Sequence, residues 1–443
     1  MWMGLQRELP ANGAPTGATR LARHAGALDD GGGLARVGIV VGIACLPILL
    51  PSAPGNITPA DVGLVVAIGV VLLWAGSTRQ ELRLPFMVGV GVMAVAGAVS
   101  ALFGILPGSG ALAVVQDLYL LAWAIALANF GRSPVAAAFL VRTWCVTAAA
   151  WAIGLIALFG RTAITAGVGS ADSARAAFTF GDQNAAGLYF VLSLLVIFAA
   201  RRPRRWRWRA PAIACLLFGT LLTGSLGAIS GLLAGLATAL VLGVRARRGP
   251  DTAIALSLAL LLATGSLALF AERHQLVQAA HESRYVLIRN SLGRGAQSSS
   301  ERAVLAKQTF HLWRTSGLVG RGPVSTQQTL RDEQAPYPKE AHNDWVAALV
   351  ERGVAGFIGL LLLVAAIVVR ASAIWDPRRL APQFVAALPA PAYVVGALVT
   401  LLVFSLTHEV LHDRTMWTLL GVLAAFELWG RSPSGQEERE GER

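Results

Sequence analysis

Twelve runs of roughly twenty apolar residues govern what this chain can fold into, since that length lets one helix cross the hydrocarbon core of a bilayer. They lie at about 37–54, 62–76, 84–106, 111–130, 135–160, 186–200, 210–225, 227–244, 252–271, 344–369, 384–407 and 415–430. With no water at that depth, each spanning segment must satisfy its own backbone polar groups, so these runs are expected to be helical. Charge agrees: only 14% of the 443 residues are ionised types, against about a quarter in a soluble domain. The fold class read from this is an all-α polytopic membrane protein with about 12 transmembrane helices.

The same runs divide the chain. Residues 1–36 read as a disordered cytosolic tail, 37–271 carry spans one to nine, and 272–343 form one long loop. Residues 344–430 carry the last three spans and 431–443 a charged cytosolic tail. A secretory signal would hold its apolar core much nearer Met1, so the first span is expected to stay uncleaved. Cys45, Cys145 and Cys215 all fall inside apolar runs, behave there as small hydrophobes, and show no metal-ligand spacing.

The formal charge of +12 is carried by arginine, with Lys307 and Lys339 the only lysines. If both termini are cytosolic, the inner connections collect Arg79 and Arg83, Arg132, the run Arg201–Arg209, Arg245, Arg247 and Arg248, and then Arg370, Arg378 and Arg379. Most of the short outer connections hold no lysine or arginine, as the positive-inside rule requires. The Arg201–Arg209 run, interleaved with Trp206 and Trp208, suits anionic lipid headgroups, and nucleic acid is not expected as a partner.

The long loop then faces outward with ten basic residues against six carboxylates. Long loops translocate regardless of charge, so the excess needs no function. The sharper reading is a surface pocket for an anion such as phosphate or diphosphate, which the planar fork of arginine holds in pairs of charge-assisted bonds. Within the loop, Ser298 and Glu301 offer a capping box, and Ala306, Phe310 and Trp313 recur as an apolar stripe that includes Arg302 in its first turn. The spacing predicts a helix on the membrane surface, ending near Ser316–Gly317 and aiming Arg302 inward. Gly320-Arg321-Gly322-Pro323 follows as a tight turn.

Where the loop meets the tenth span stands Ala341-His342-Asn343-Asp344, with Glu351-Arg352-Gly353 two turns further on. Ionisable groups at the top of a span are expensive and therefore functional suspects. His342 can act as a general base near neutral pH; alone, a histidine here would more often cap a helix. Asn343 or Asp344 is expected to cap the span. Glu351 lies on the helix face opposite His342 and is expected to pair with an arginine of another span, Arg142 being one candidate. Arg352 is expected to face the interface.

A second cluster, His408-Glu409-Val410-Leu411-His412, spells HExxH. On a helix this pattern puts two imidazoles and a base on a zinc ion. Here it falls in a short turn between two spans with few residues left for a third ligand, so a polar interhelical turn is the expected role and an intramembrane zinc protease the minor alternative. No Walker loop, dinucleotide fingerprint or serine elbow occurs.

Several of these stretches together resemble the O-antigen ligase family, which includes related O-antigen polymerases. Phe180-Gly181-Asp182-Gln183-Asn184-Ala185-Ala186-Gly187-Leu188 looks like the family's D-x-N opening of a span, and Leu222-Thr223-Gly224-Ser225-Leu226-Gly227 like its TGSR exit, although Leu226 stands where the pattern has arginine. Arg302 with Gly320-Arg321-Gly322 resembles the loop arginine and Gly-x-Gly turn; His342-Asn343 through Glu351-Arg352-Gly353-Val354-Ala355-Gly356 matches HN…E-x-G-x-x-G. The resemblance covers about residues 180–365 and implies a C-type glycosyltransferase-like architecture with the long loop periplasmic. It implies a multi-pass enzyme of the bacterial cytoplasmic (inner) membrane, using neither metal nor cofactor. Such an enzyme moves a glycan from an undecaprenyl-diphosphate-linked donor to an acceptor hydroxyl on a glycan or a lipid A-core. By resemblance Arg302 and His342 are catalytic, while Arg321, Arg284, Arg175, Asn343 and Glu351 contact substrate. A polymerase of O-antigen or exopolysaccharide is the alternative within that class, and a polysaccharide transporter or flippase the alternative outside it.

Overall fold

Prolines set where many of the helices begin. The structure, a computed structural model, describes residues 32–51, 57–79, 81–165, 177–273, 276–283, 289 and 295–432. Helices α1 (Gly32–Cys45), α2 (Pro59–Ser77), α3 (Met87–Phe103), α4 (Pro107–Phe130) and α5 (Pro134–Thr165) come first. Then follow α6 (Gln183–Ala200), α7 (Trp206–Thr223), α8 (Leu226–Arg248) and α9 (Pro250–Arg273). Pro59, Pro107, Pro134 and Pro250 each open a helix, where the missing N–H would have had no partner in any case. The long loop contributes α10 (Leu276–His281), α11 (Gly295–Thr315) and α12 (Thr326–Asp332), and the chain closes with α13 (Asp344–Ile374), α14 (Pro382–Val385), α15 (Ala392–Ser405) and α16 (Arg414–Trp429). No strand occurs among the described residues.

The chain is an all-helical, polytopic membrane protein. A helix stands at each of the twelve apolar runs, and six of them (α2, α4, α5, α6, α8 and α13) are long and apolar enough to cross a membrane. Two runs are broken where one continuous span was expected. The first helix stops at Cys45, ahead of Pro47 and Pro51, and the run 384–407 is divided by Pro389 and Pro391 into α14 and α15. Proline removes a helical donor and crowds the preceding turn, which accounts for both breaks.

Central in the bundle is α6, 78% buried, packed on α5, α7, α8 and α15. Trp123, Trp144, Trp417 and, on α6 itself, Tyr189 and Phe190 are fully enclosed in the bundle. Two of the buried indoles find hydroxyls: Trp123 Nε1 donates to Thr418 Oγ1 and Trp144 Nε1 to Ser193 Oγ, each at 2.9 Å. Small residues let neighbouring helices approach closely, Gly231 against Thr400 and Gly235 against Gly396 for α8 on α15, and Gly89 and Gly359 for α3 on α13.

The bundle has two unlike ends. One gathers the starts of α2, α6, α8, α13 and α16 beneath the long loop, joined by contacts such as Gly187 with Ser225, Gly227 with His408, and Asp61 with Arg414. The other gathers arginine and tryptophan: Arg132 and Arg83 lie 4.8 and 5.9 Å over the Trp429 ring, and Arg245 and Arg379 lie 5.1 and 5.4 Å over Trp375.

Candidate active site at the loop end

Helix α13 begins with a cap and breaks after nine residues. Asn343 Oδ1 accepts from Trp345 N and Val346 N at 2.9 and 3.1 Å, so Asn343 is the expected cap, and its Nδ2 donates to Leu406 O at 3.0 Å. The break falls at Gly353, with φ 68° and ψ −167°, a backbone that glycine alone adopts readily. It releases three backbone groups, and the loop takes all of them. Arg321 N donates to Val350 O (2.8 Å), Gly322 N donates to Glu351 O (3.0 Å), and Val354 N donates to Leu318 O (3.0 Å). A Cβ on Gly353 would overlap Leu318 O, and one on Gly320 would press on Glu351 O. The two glycine-containing motifs are thus halves of one clasp.

Two carboxylates extend this clasp. Glu351 is buried and accepts from Val324 N (2.9 Å), Thr326 N (3.3 Å) and Thr326 Oγ1 (2.6 Å), pinning the start of α12. Asp344 accepts from Val410 N (2.9 Å) and Leu411 N (3.3 Å), drawing the turn 406–413 onto the start of α13. Among the described residues neither is paired with a guanidinium of another span, as was expected for Glu351: main-chain donors stand closer and need no second buried charge. Arg142, the candidate partner, sits at the opposite end of the bundle beside Arg202 and Arg204.

The turn 406–413 brings the second sequence cluster to the first. Its HExxH residues are not on a helix, which removes the geometry a zinc protease needs. His408 is buried, stacks on Phe404 with ring centroids 4.2 Å apart, and lies 6.1 Å from the His342 ring. Gly227 makes room for it, since a Cβ there would stand 3.1 Å from His408 Cε1. The Glu409 carboxyl accepts from the His342 backbone N–H, while its Oε1 is buried with no hydrogen-bond partner among the described residues. Burial, reinforced by the Glu351, Glu340 and Asp344 carboxylates, holds the Glu409 carboxyl well above the usual carboxylate range. His342 itself is half-buried with φ 49°, an uncommon conformation for a residue with a side chain and one that clusters at functional sites.

Two buried networks flank the histidines. Arg352 pairs with Asp117 of α4, and His412 Nε2 stands 3.3 Å from the other oxygen of that aspartate. Arg352 therefore faces the protein interior, against the expectation that it meets the interface; once buried, its charge requires a partner, and Asp117 is that partner. Arg414 pairs with Asp61 through Nε and Nη2, both at 2.8 Å, and Tyr119 donates to the same carboxylate.

An apolar cavity of about 340 Å³ opens at this end and runs along α13 and α15. Asp344, Trp345 and Ser405 stand at its upper end, Leu363 and Leu398 along it, and Arg245 with Trp375 at its foot. A polar upper end at Ser405 and at Asp344, two residues along the chain from His342, above a long apolar groove suits an amphiphile with its reactive group at the head.

Residues 211–361 match the family model described as O-antigen ligase. That stretch, about a third of the chain, is similar to the O-antigen ligase family. No curated protein matches the chain. The matched stretch takes in the Ser225-capped start of α8, the long loop, His342 and the break at Gly353. The turn bearing His408 and Glu409 lies beyond it.

Arg302 lies on the backbone of α11, but its side chain, like all of Arg284 and Arg175, is outside the described residues. Helix α11 ends at Thr315 as expected yet begins at Gly295, so Ser298 is inside it and not its cap. The protein-facing residues of α11 are Leu305, Thr309 and Leu312, which pack near Leu330 and Val350, whereas Phe310 of the predicted stripe is half exposed. Long-range packing against α12 and α13 chose between two apolar faces one residue apart. Arg321 bonds Thr315 Oγ1 at 2.9 Å and pairs with Glu333 at 3.4 Å. Leu226 opens α8 directly after the Ser225 cap. One cation that sequence reading left among the ten stands out: Arg289 is buried, and its Nε and Nη2 have no hydrogen-bond partner among the described residues.

Proposed function

We propose that this protein moves an oligo- or polysaccharide from undecaprenyl diphosphate to an acceptor hydroxyl at the outer face of the bacterial cytoplasmic membrane. The loop end is the outer end in this reading and both termini are cytosolic, supported by the arginine and tryptophan gathered at the opposite end. The observation that carries the proposal is the apolar groove whose upper end lies at Asp344 and Trp345, directly after His342. The polyprenyl tail lies in that groove and its diphosphate reaches the rim.

In the transfer, the His342 imidazole takes the proton of the acceptor hydroxyl as its oxygen attacks the anomeric carbon. The bond from that carbon to the diphosphate breaks, and undecaprenyl diphosphate leaves with the electron pair. Arg302 holds the departing charge, joined by Arg289, whose Nε and Nη2 have no hydrogen-bond partner among the described residues and which supplies the cation that Leu226 does not. Arg321, Arg284, Arg175 and Asn343 bind the sugars in this reading, and Glu351 serves them indirectly by fastening the loop. A transporter of this kind would be built on paired broken helices; among the described helices α13 alone has a non-helical residue in its interior.

The test is transfer from a lipid-diphosphate-linked oligosaccharide to candidate acceptors by the purified protein, with and without chelator, alongside His342→Ala. Transfer that survives the chelator and vanishes in the variant is the expected result. A productive acceptor that is itself carrier-linked would make the enzyme a polymerase. Failure with every acceptor while the carrier still binds would overturn the transferase reading.

A further inference from the structure

Arg142 is a charge inside a helix, eight residues beyond Pro134 and so about 12 Å along α5. A charge at that depth normally meets a counter-charge or a functional site. Among the described residues Arg142 meets neither a carboxylate nor a tryptophan. It shares a cleft of about 390 Å³ with Arg202 and Arg204, walled by Val135, Ala138 and Phe139 of α5 and closed by Gln383 of α14.

Several other arginines at this end have partners. Arg83, Arg132, Arg245 and Arg379 lie over indole rings, and Arg370 and Arg431 pair with Glu427. Arg142, Arg202 and Arg204 form no ion pair among the described residues. Their mutual repulsion is felt: partial burial, then Arg204 and Arg142, hold the Arg202 guanidinium below its usual range. Arg36 adds a fourth positive charge, 6.0 Å over the Phe139 ring that lines the same cleft.

We propose that this cleft binds the headgroup of an anionic phospholipid, with its acyl chains against Val135, Ala138 and Phe139. Guanidiniums hold phosphate oxygens bidentately, and basic pockets between spans suit such headgroups. Three guanidiniums match a lipid with two phosphates better than one with a single phosphate. The cleft lies at the opposite end from His342, so the proposal does not depend on the transfer reaction.

The full chain, purified in neutral detergent, would be titrated with cardiolipin, phosphatidylglycerol and phosphatidylcholine, and bound lipid counted by native mass spectrometry. Cardiolipin should bind tightest and phosphatidylcholine weakest. The triple variant R142Q/R202Q/R204Q should bind cardiolipin roughly a hundredfold more weakly, and the loop-only R202Q/R204Q, which leaves α5 intact, about thirtyfold more weakly. The control R247Q/R248Q/R378Q removes equal charge from the same end and should bind as the parent does. No preference over phosphatidylcholine, or equal loss in the control, would reduce the cluster to diffuse charge and overturn the site. Displacement of the lipid by inorganic phosphate at matched concentration would overturn the lipid as its ligand.

Discussion

At the loop end, Asp344 and Glu351 each collect N–H donors from a different stretch of main chain, whereas at the opposite end Arg83, Arg132, Arg245 and Arg379 lie over the faces of tryptophan rings. The first arrangement fixes backbone geometry: each carboxylate sits where a helix starts or breaks, and removing it leaves buried donors bare. The second fixes chiefly position, since a cation over the face of a half-buried ring tolerates movement that a carboxylate gripping main-chain donors does not. Charge of similar density therefore shapes a site at one end and a membrane contact at the other.

Substitutions can break or sharpen this contrast. The largest effect is expected from Arg352→Ala, which leaves Asp117 buried without its guanidinium and should cost about 3–5 kcal/mol. A thermal midpoint in detergent equal to that of the parent would remove the claim that this end is held by buried charge. His342→Ala should leave the midpoint unchanged and lower transfer by roughly 10²–10⁴-fold, the usual worth of a general base; comparable loss in a folded, inactive control would be needed to argue otherwise. Asn343→Ala removes the α13 cap and should cost about 1 kcal/mol, read from the same melts.

Glu409→Gln tests the sign of a pH effect. The raised pKa means that the folded protein keeps this proton to higher pH than the unfolded chain does, so the wild type loses stability as pH climbs from the ordinary carboxylate range through the raised value. The variant lacks that loss, and its midpoint should gain on the wild type as pH increases from about 4. A difference that stays constant across the series would show that Glu409 does not titrate there. The smallest effect belongs to the other end: Trp206→Leu removes an exposed ring lying 5.3 Å from the Arg209 guanidinium and should change stability by no more than about 0.5 kcal/mol.

Much of this molecule is legible in its sequence, and the reasons separate cleanly. Helical spans follow from run length, and the Asn343 cap and the Thr315 end of α11 follow from local chemistry acting within a few residues. What escaped depends on distant partners. The aspartate that neutralises Arg352 is 235 positions away in sequence, and nothing near either residue announces the other. His408 and Glu409 were legible as an unusual cluster but were discounted because their turn is short; only the bonds from Asp344 to that turn reveal that it reaches His342. The face that α11 buries was unreadable because both of its faces are apolar enough.

The clasp at Gly353 has a consequence for how such a protein can diversify. Its three bonds join main chain to main chain, so they require glycine at the tight positions but are indifferent to the side chains carried between them. Under the proposed function, the long loop can exchange the groups that meet a sugar while its attachment to α13, and with it the placement of His342, stays the same. Recognition and anchorage are thereby separable, and a new acceptor can be accommodated without rebuilding the hinge on which the histidine is mounted.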